Sequence, residues 1–226
     1  MDIKEAFSIA EILHNASPST LADLASCGSL RRVGRGEQLF LDHEEVTTIY
    51  ILVSGTASLY KCADGGEKRV IFAYNGGAAL NEVILNGMPS SVCCEMLEDS
   101  YVLCFPVGRF ASAMERDPRL SKAVMDSMSI KIRRLYRQLA SGAMRGEKRL
   151  AAKLWKLSRD HGKDIPEGTL IDMPVTVTYL AEMLGEARET VSRQLRLLIN
   201  EGLVINSGGR FIIPDRGALR KYFKSM

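Results

Sequence analysis

The chain has 226 residues, 46% apolar and 25% charged, with a formal net charge of +3. These proportions suit a globular protein and exclude a globally disordered one, and the length suits one large domain or two small ones. No apolar run approaches the ~18–20 residues of a membrane span, and the first twenty residues, with acids, polar groups and Pro18, lack a signal-peptide block, so a cytoplasmic protein with no membrane partner is expected. The charge is uneven. Residues 1–141 hold 15 Lys and Arg against 17 Asp and Glu, whereas residues 142–226 hold 15 against 10. A basic C-terminal part points to a polyanion partner.

Along the chain, Ile9, Leu13, Leu21 and Leu24 recur at helical steps, and Ser17-Pro18 reads as a helix start. From about 33 to 106 short apolar runs alternate with turn signals. The runs include 38–41, 49–53, 57–60, 69–74 and 101–105; Gly34-Arg35-Gly36, Ser54-Gly55 and Asn75-Gly76-Gly77 are among the turns. Strands at this spacing predict an antiparallel sandwich or barrel. Pro106 closes the region, and a helix restarts near Asp117-Pro118. There Met125, Ile132 and Leu139 fall seven apart, with Met128 and Leu135 in the complementary positions. This is a heptad seam of about two and a half repeats, suited to a two-helix dimer contact. Gly142 and Gly146 bracket an expected hinge. Leu150, Ala151, Leu154 and Leu157 mark another amphipathic helix ending near His161-Gly162, and 163–174 reads as a loop.

Residues 176–213 carry the chemistry. Leu180 and Leu184 lie on one helix, Gly185 breaks it, and Val191, Leu195, Leu198 and Ile199 form the apolar face of a second helix. Gly202 ends that helix, and 203–213 reads as a hairpin around Ser207-Gly208-Gly209. The whole is a winged helix-turn-helix. Opposite the apolar face, Glu189, Ser192, Arg193, Arg196 and Asn200 form a polar stripe. Arginine can bond guanine O6 and N7 in two places, and a carboxylate can accept from cytosine N4. Ser192 suits a base edge or a phosphate, and Arg188 stands at the helix start. A solvated Glu189–Arg193 ion pair, worth ~0.3–0.5 kcal/mol, is the plainer alternative.

Residues 187–193, Ala-Arg-Glu-Thr-Val-Ser-Arg, resemble the recognition-helix motif of the cyclic-AMP receptor protein and fumarate–nitrate regulator (CRP/FNR) superfamily, and the order of elements resembles that family over nearly the whole chain. The resemblance implies an α+β protein: a β-roll sensor of cyclic-nucleotide-binding type over 1–116, a dimerisation helix over 117–142 and a winged helix-turn-helix over 143–226. It implies an effector-controlled homodimer on palindromic double-stranded DNA, with RNA polymerase as a further partner and no catalytic or metal-binding residues. Arg188, Glu189 and Arg193 match the family's Arg-Glu and arginine pattern; Glu189, Ser192 and Arg193 also match Glu-x-x-Ser-Arg, with Thr190 between them. The half-site expected is TGTGA-like or TTGAT-like, the former favoured by Arg188. Phosphate contacts are expected from Thr176, Thr178, Arg145, Arg196 and Arg210. One departure is Ala187 at the helix start, where a lost cap costs ~1 kcal/mol; Glu186 is the candidate substitute.

For the effector, the resemblance implies a pocket at Asn81, Glu82, Ser90 and Ser91. Glu82 and Ser91 match the nucleotide-binding members, but Asn81 replaces their glycine and Ser90 their arginine. A buried phosphate without a cation is costly, so cyclic AMP is disfavoured. An iron–sulfur cluster is disfavoured too, since the first 26 residues hold no cysteine. Haem or another apolar ligand, with His14 or His43 as axial groups, and thiol redox at Cys93 or Cys94 stay open, and the effector stays unknown. The five cysteines include no C-x-x-C pair. A small-molecule or redox sensor without a DNA-binding role is the rival class.

Overall fold

The structure is a computed structural model and describes residues 1–63, 65–141 and 146–225. The chain forms two compact units, Met1–Lys61 with Ile71–Leu135, and Cys62–Val70 with Tyr136–Met226. Among the described residues, no helix is long and apolar enough to cross a membrane.

The N-terminal part opens with helices α1 (Ile3–Ile9) and α2 (Pro18–Cys27). Ser17 caps α2 as its spacing predicts: its hydroxyl accepts from the Thr20 N–H at 3.2 Å, with Pro18 in the first turn. Seven strands follow: β1 (Ser29–Val33), β2 (Gln38–Phe40), β3 (Thr48–Ser54), β4 (Thr56–Cys62), β5 (Lys68–Asn75), β6 (Cys93–Met96) and β7 (Ser100–Pro106). A short helical turn, Glu82–Asn86, precedes β6. The strands form two antiparallel sheets, ordered β1-β7-β3 and β2-β6-β4-β5. Val33, Leu52 and Val102 of the first meet Phe40, Leu59, Phe72 and Cys94 of the second in a sandwich core.

The other face of β3 and β7 is also covered. Ile49, Ile51, Leu103 and Phe105 pack against Leu13, Leu24, Phe110, Leu120 and Val124 from the flanking helices. A strand buried on both faces needs no polar alternation, which accounts for the unbroken apolar run at 49–53. The last three of those residues belong to helices α3 (Val107–Arg116) and α4 (Pro118–Ser141). Between these helices, Asp117 accepts from the Ser17 N–H at 2.7 Å and the Arg119 N–H at 3.0 Å. The Ser17 bond above all holds its carboxyl down at about 2.

The second unit contains α5 (Glu147–Asp160), β8 (Gly162–Ile165), β9 (Gly168–Ile171), α6 (Val177–Leu184), α7 (Arg188–Asn200), β10 (Ile205–Ser207), β11 (Arg210–Ile213) and α8 (Arg216–Lys224). Leu150, Leu154, Leu180, Leu184, Val191, Leu195, Leu198, Phe211 and Leu219 are among its buried residues, drawn from every helix and the wing. Gly208 and Gly209, at φ of +58° and +81°, make the two-residue turn between β10 and β11, a conformation that matches the twist of the flanking strands. The expected loop at 163–174 is instead the hairpin β8–β9. It turns at Pro166-Glu167, and β9 pairs with β11 through Leu170–Ile212 and Thr169–Ile213, making a four-stranded sheet. The strands hold four residues each, too few for a visible alternation around Pro166 and Gly168. The expected hinge residue Gly142 lies outside the described residues; Gly146 immediately precedes α5, with φ of +63°.

Candidate nucleic-acid interface

Helix α6 begins at Thr176, whose hydroxyl oxygen accepts from the Tyr179 N–H at 3.1 Å. That cap leaves the Thr176 O–H free to donate outward, and Thr178 is exposed beside it. The helix ends at Gly185, which sits in the left-handed region at φ 61° and ψ 48°. A side chain there would be strained, so the glycine the sequence marks as a breaker is what allows the sharp turn. Helix α7 then starts at Arg188. Ala187 makes no side-chain cap bond.

Glu186 does not replace the missing cap. Its carboxylate accepts from Gln194 Nε2 at 2.9 Å and pairs with Arg149 at 3.0 Å. Arg149, on α5, also donates to the Leu184 carbonyl at the end of α6. The Glu186 carboxylate therefore joins α5 to α7, and Arg149 links both to the end of α6. Neither Arg149 nor Gln194 stands out in sequence; the signal available was a glutamine inside the apolar face of α7, which a buried partner must satisfy.

With Val191, Gln194, Leu195 and Leu198 buried, α7 turns its opposite face outward. Arg188, Glu189, Arg193, Arg196 and Asn200 are exposed, and Thr190 and Ser192 are half-buried. Among the described residues, Glu189 and Arg193 make no ion pair, with each other or with another side chain. The solvated-pair alternative is thus not what the structure contains. Leu197 is half exposed on the same side, an apolar contact that the polar stripe did not anticipate. Exposed guanidinium and carboxylate groups on the second helix of a helix-turn-helix are groups able to bond base edges. Arg210 stands exposed on the wing, while Arg145 lies outside the described residues.

Comparison with known proteins agrees with this geometry. Residues 148–222 match the family model of the Crp-like helix-turn-helix domain, and residues 30–117 match that of the cyclic nucleotide-binding domain. The chain belongs to the CRP/FNR superfamily of transcriptional regulators. It is 24% identical over 201 residues to the anaerobic regulatory protein of Bacillus subtilis, covering 87% of this chain and 84% of the relative. It is 25% identical to the global nitrogen regulator of Synechococcus elongatus, covering 84% and 87%. A CooA variant from Carboxydothermus hydrogenoformans shares the fold at a TM-score of 0.77 and 18% identity, over 96% of this chain and 95% of that one. As a CRP/FNR-type protein, the chain is a DNA-binding transcriptional regulator.

Three of the four candidate effector residues are engaged by the sensor's own groups. Both amide atoms of Asn81 serve the backbone of β3, accepting from the Tyr50 N–H at 2.9 Å and donating to the Thr48 carbonyl at 2.8 Å. Ser90 is buried and donates to the Val92 carbonyl at 2.7 Å, while Ser91 is exposed. Glu82 is fully buried and pairs with Lys131 of α4. Both candidate axial histidines, His14 and His43, are exposed, His43 beside Asp42.

Cys93 and Cys94 are both buried on β6, although alternation alone predicts one of them inward. Cys94 lies in the sandwich core, and Cys93 is covered by the segment that places the Asp42 N–H 3.3 Å from its sulfur. Burial pushes the Cys94 thiol far above its ordinary range, so little reactive thiolate forms. The expected outcome is that a thiol reagent labels exposed Cys62 rapidly in the native protein and labels Cys93 and Cys94 only on unfolding. Mass spectrometry of the labelled peptides checks this, and rapid labelling at Cys93 would restore the redox reading.

Proposed function

We propose that the regulator acts as a homodimer through α4 and reads an inverted repeat of two half-sites, TGTGA-like or TTGAT-like. In this reading Arg188, Glu189, Thr190, Ser192 and Arg193 face the bases. Thr176, Thr178, Arg196 and Arg210 hold phosphates. Base contacts then set sequence, and phosphate contacts set affinity and its salt dependence. The observation that carries it is the unpaired, outward ridge of α7, stabilised from behind by the Arg149–Glu186–Gln194 cluster.

The dimer part rests on α4. Met125, Ile132, Leu135 and Leu139 are 58%, 47%, 38% and 78% exposed in the single chain, a continuous apolar stripe left in water at heptad spacing. Met128, the remaining seam residue, is half-buried and packs partly on the sensor core. Two recognition helices related by a twofold axis fit successive major grooves, about 34 Å apart. RNA polymerase is the partner that the resemblance adds. Selection from a random DNA pool with the pure protein tests this reading. The expected result is two half-sites in inverted orientation, centred one duplex turn apart. A single unpaired motif, or no enrichment, would reject it.

A further inference from the structure

The carboxylate of Glu82 has no solvent contact, and both of its oxygens are engaged from α4. Ser127 Oγ donates to Oε1 at 2.8 Å, and Lys131 Nζ donates to Oε2 at 2.5 Å. The same ammonium donates to the Ala79 carbonyl at 2.9 Å and lies 5.1 Å from the centre of the Tyr74 ring. On its other side the turn bearing Glu82 is fastened to β3 through Asn81. Ser127 and Lys131 are one helical turn apart and immediately precede the seam residues Met128 and Ile132. Successive residues of a helix are about 100° apart around its axis. A tether at 127 and 131 therefore fixes which way 128 and 132 point. Rotation of α4 by one residue would break both bonds to Glu82 and turn the seam aside.

We propose that Lys131 is a built-in counterion: with Ser127 it locks α4 to Glu82, so the dimer seam is presented without any small molecule. The inference rests on the DNA-reading dimer above and states its regulation. The lock is internal, so the regulator's activity is set by how much of it is present rather than by occupancy of the sensor.

The test uses the full-length chain, unfolded in guanidinium, refolded and dialysed to remove carried-over small molecules. Dimer dissociation is measured by sedimentation and affinity for the selected DNA by fluorescence anisotropy, each with and without cyclic AMP or cyclic GMP. The wild type is expected to dimerise and bind DNA as stripped, with either nucleotide changing neither constant by more than about twofold. Lys131→Met strands the Glu82 charge and can disturb folding, so the neutral pair Glu82→Gln with Lys131→Met is measured beside it. Each is expected to weaken the dimer at least about tenfold, DNA affinity falling in parallel. A stripped wild type that stays monomeric until a nucleotide is added would overturn the proposal, as would a neutral pair that dimerises like the wild type. If the sedimentation results come out as expected but no DNA is bound, the lock stands and the DNA reading fails.

Discussion

Met128→Asp with Leu135→Asp is expected to abolish the proposed dimer: the double variant should sediment as a monomer at concentrations where the wild type associates. Across a twofold axis the two substitutions place four carboxylates in one apolar seam. Each loses its hydration without gaining a counterion, and like charges face each other. The expected change exceeds what a rim substitution causes, because positions a and d are the buried positions of such a seam. Met128 also touches the sensor core, so its replacement lowers the stability of the single chain as well. Leu135→Asp with Leu139→Asp separates the two effects, since both side chains are exposed before association. That variant is expected to keep the wild-type fold by circular dichroism and to lose the dimer. Persistence of the dimer in both variants rejects the seam.

The second large effect lies inside the sensor. Glu82→Ala leaves the ammonium of Lys131, itself nearly buried, without its carboxylate, and leaves Ser127 without its acceptor. Removing one partner of a buried ion pair costs about 3–5 kcal/mol, whereas replacing both by well-packed apolar groups is near neutral. Urea unfolding should therefore show a large fall in midpoint for Glu82→Ala. Glu82→Leu with Lys131→Met should recover most of it, with an unchanged slope. Equal losses in the single and double variants would mean that the charges contribute nothing beyond the space they fill.

The helix-turn-helix was legible because three independent signals coincide there: Gly185 between two apolar periodicities, a polar stripe opposite Val191, Leu195 and Leu198, and a Gly-Gly hairpin behind them. The sandwich was legible from its turns, and α4 from its heptads. What escaped was written in non-local partners. The hairpin β8–β9 takes its place by pairing with β11, more than forty residues further along the chain. Helix α8 buries Leu219, sets Phe223 against Trp155 of α5, and is started by Asp215, which accepts from Gly217 and Ala218. Glu186 looked like a cap from its position next to Ala187, but Arg149 and Gln194 claim it. Glu82 was marked for a ligand by resemblance. Its cation, Lys131, sits 49 residues later on a helix where sequence shows a lysine beside the seam and nothing of what it faces. Alternation leaves one of Cys93 and Cys94 facing outward, but the segment around Asp42 covers Cys93.

In the proposed reading, α7 recognises bases through its exposed arginine and carboxylate groups. The most direct test is the affinity of Arg193→Ala for the selected site and for random-sequence DNA of the same length, at one fixed salt concentration. Loss of a bidentate guanine contact predicts a cost of about 1–3 kcal/mol, roughly 5- to 150-fold, on the selected site, with little change on random DNA. An equal loss on both would mean that Arg193 holds only phosphate, and would contradict the account.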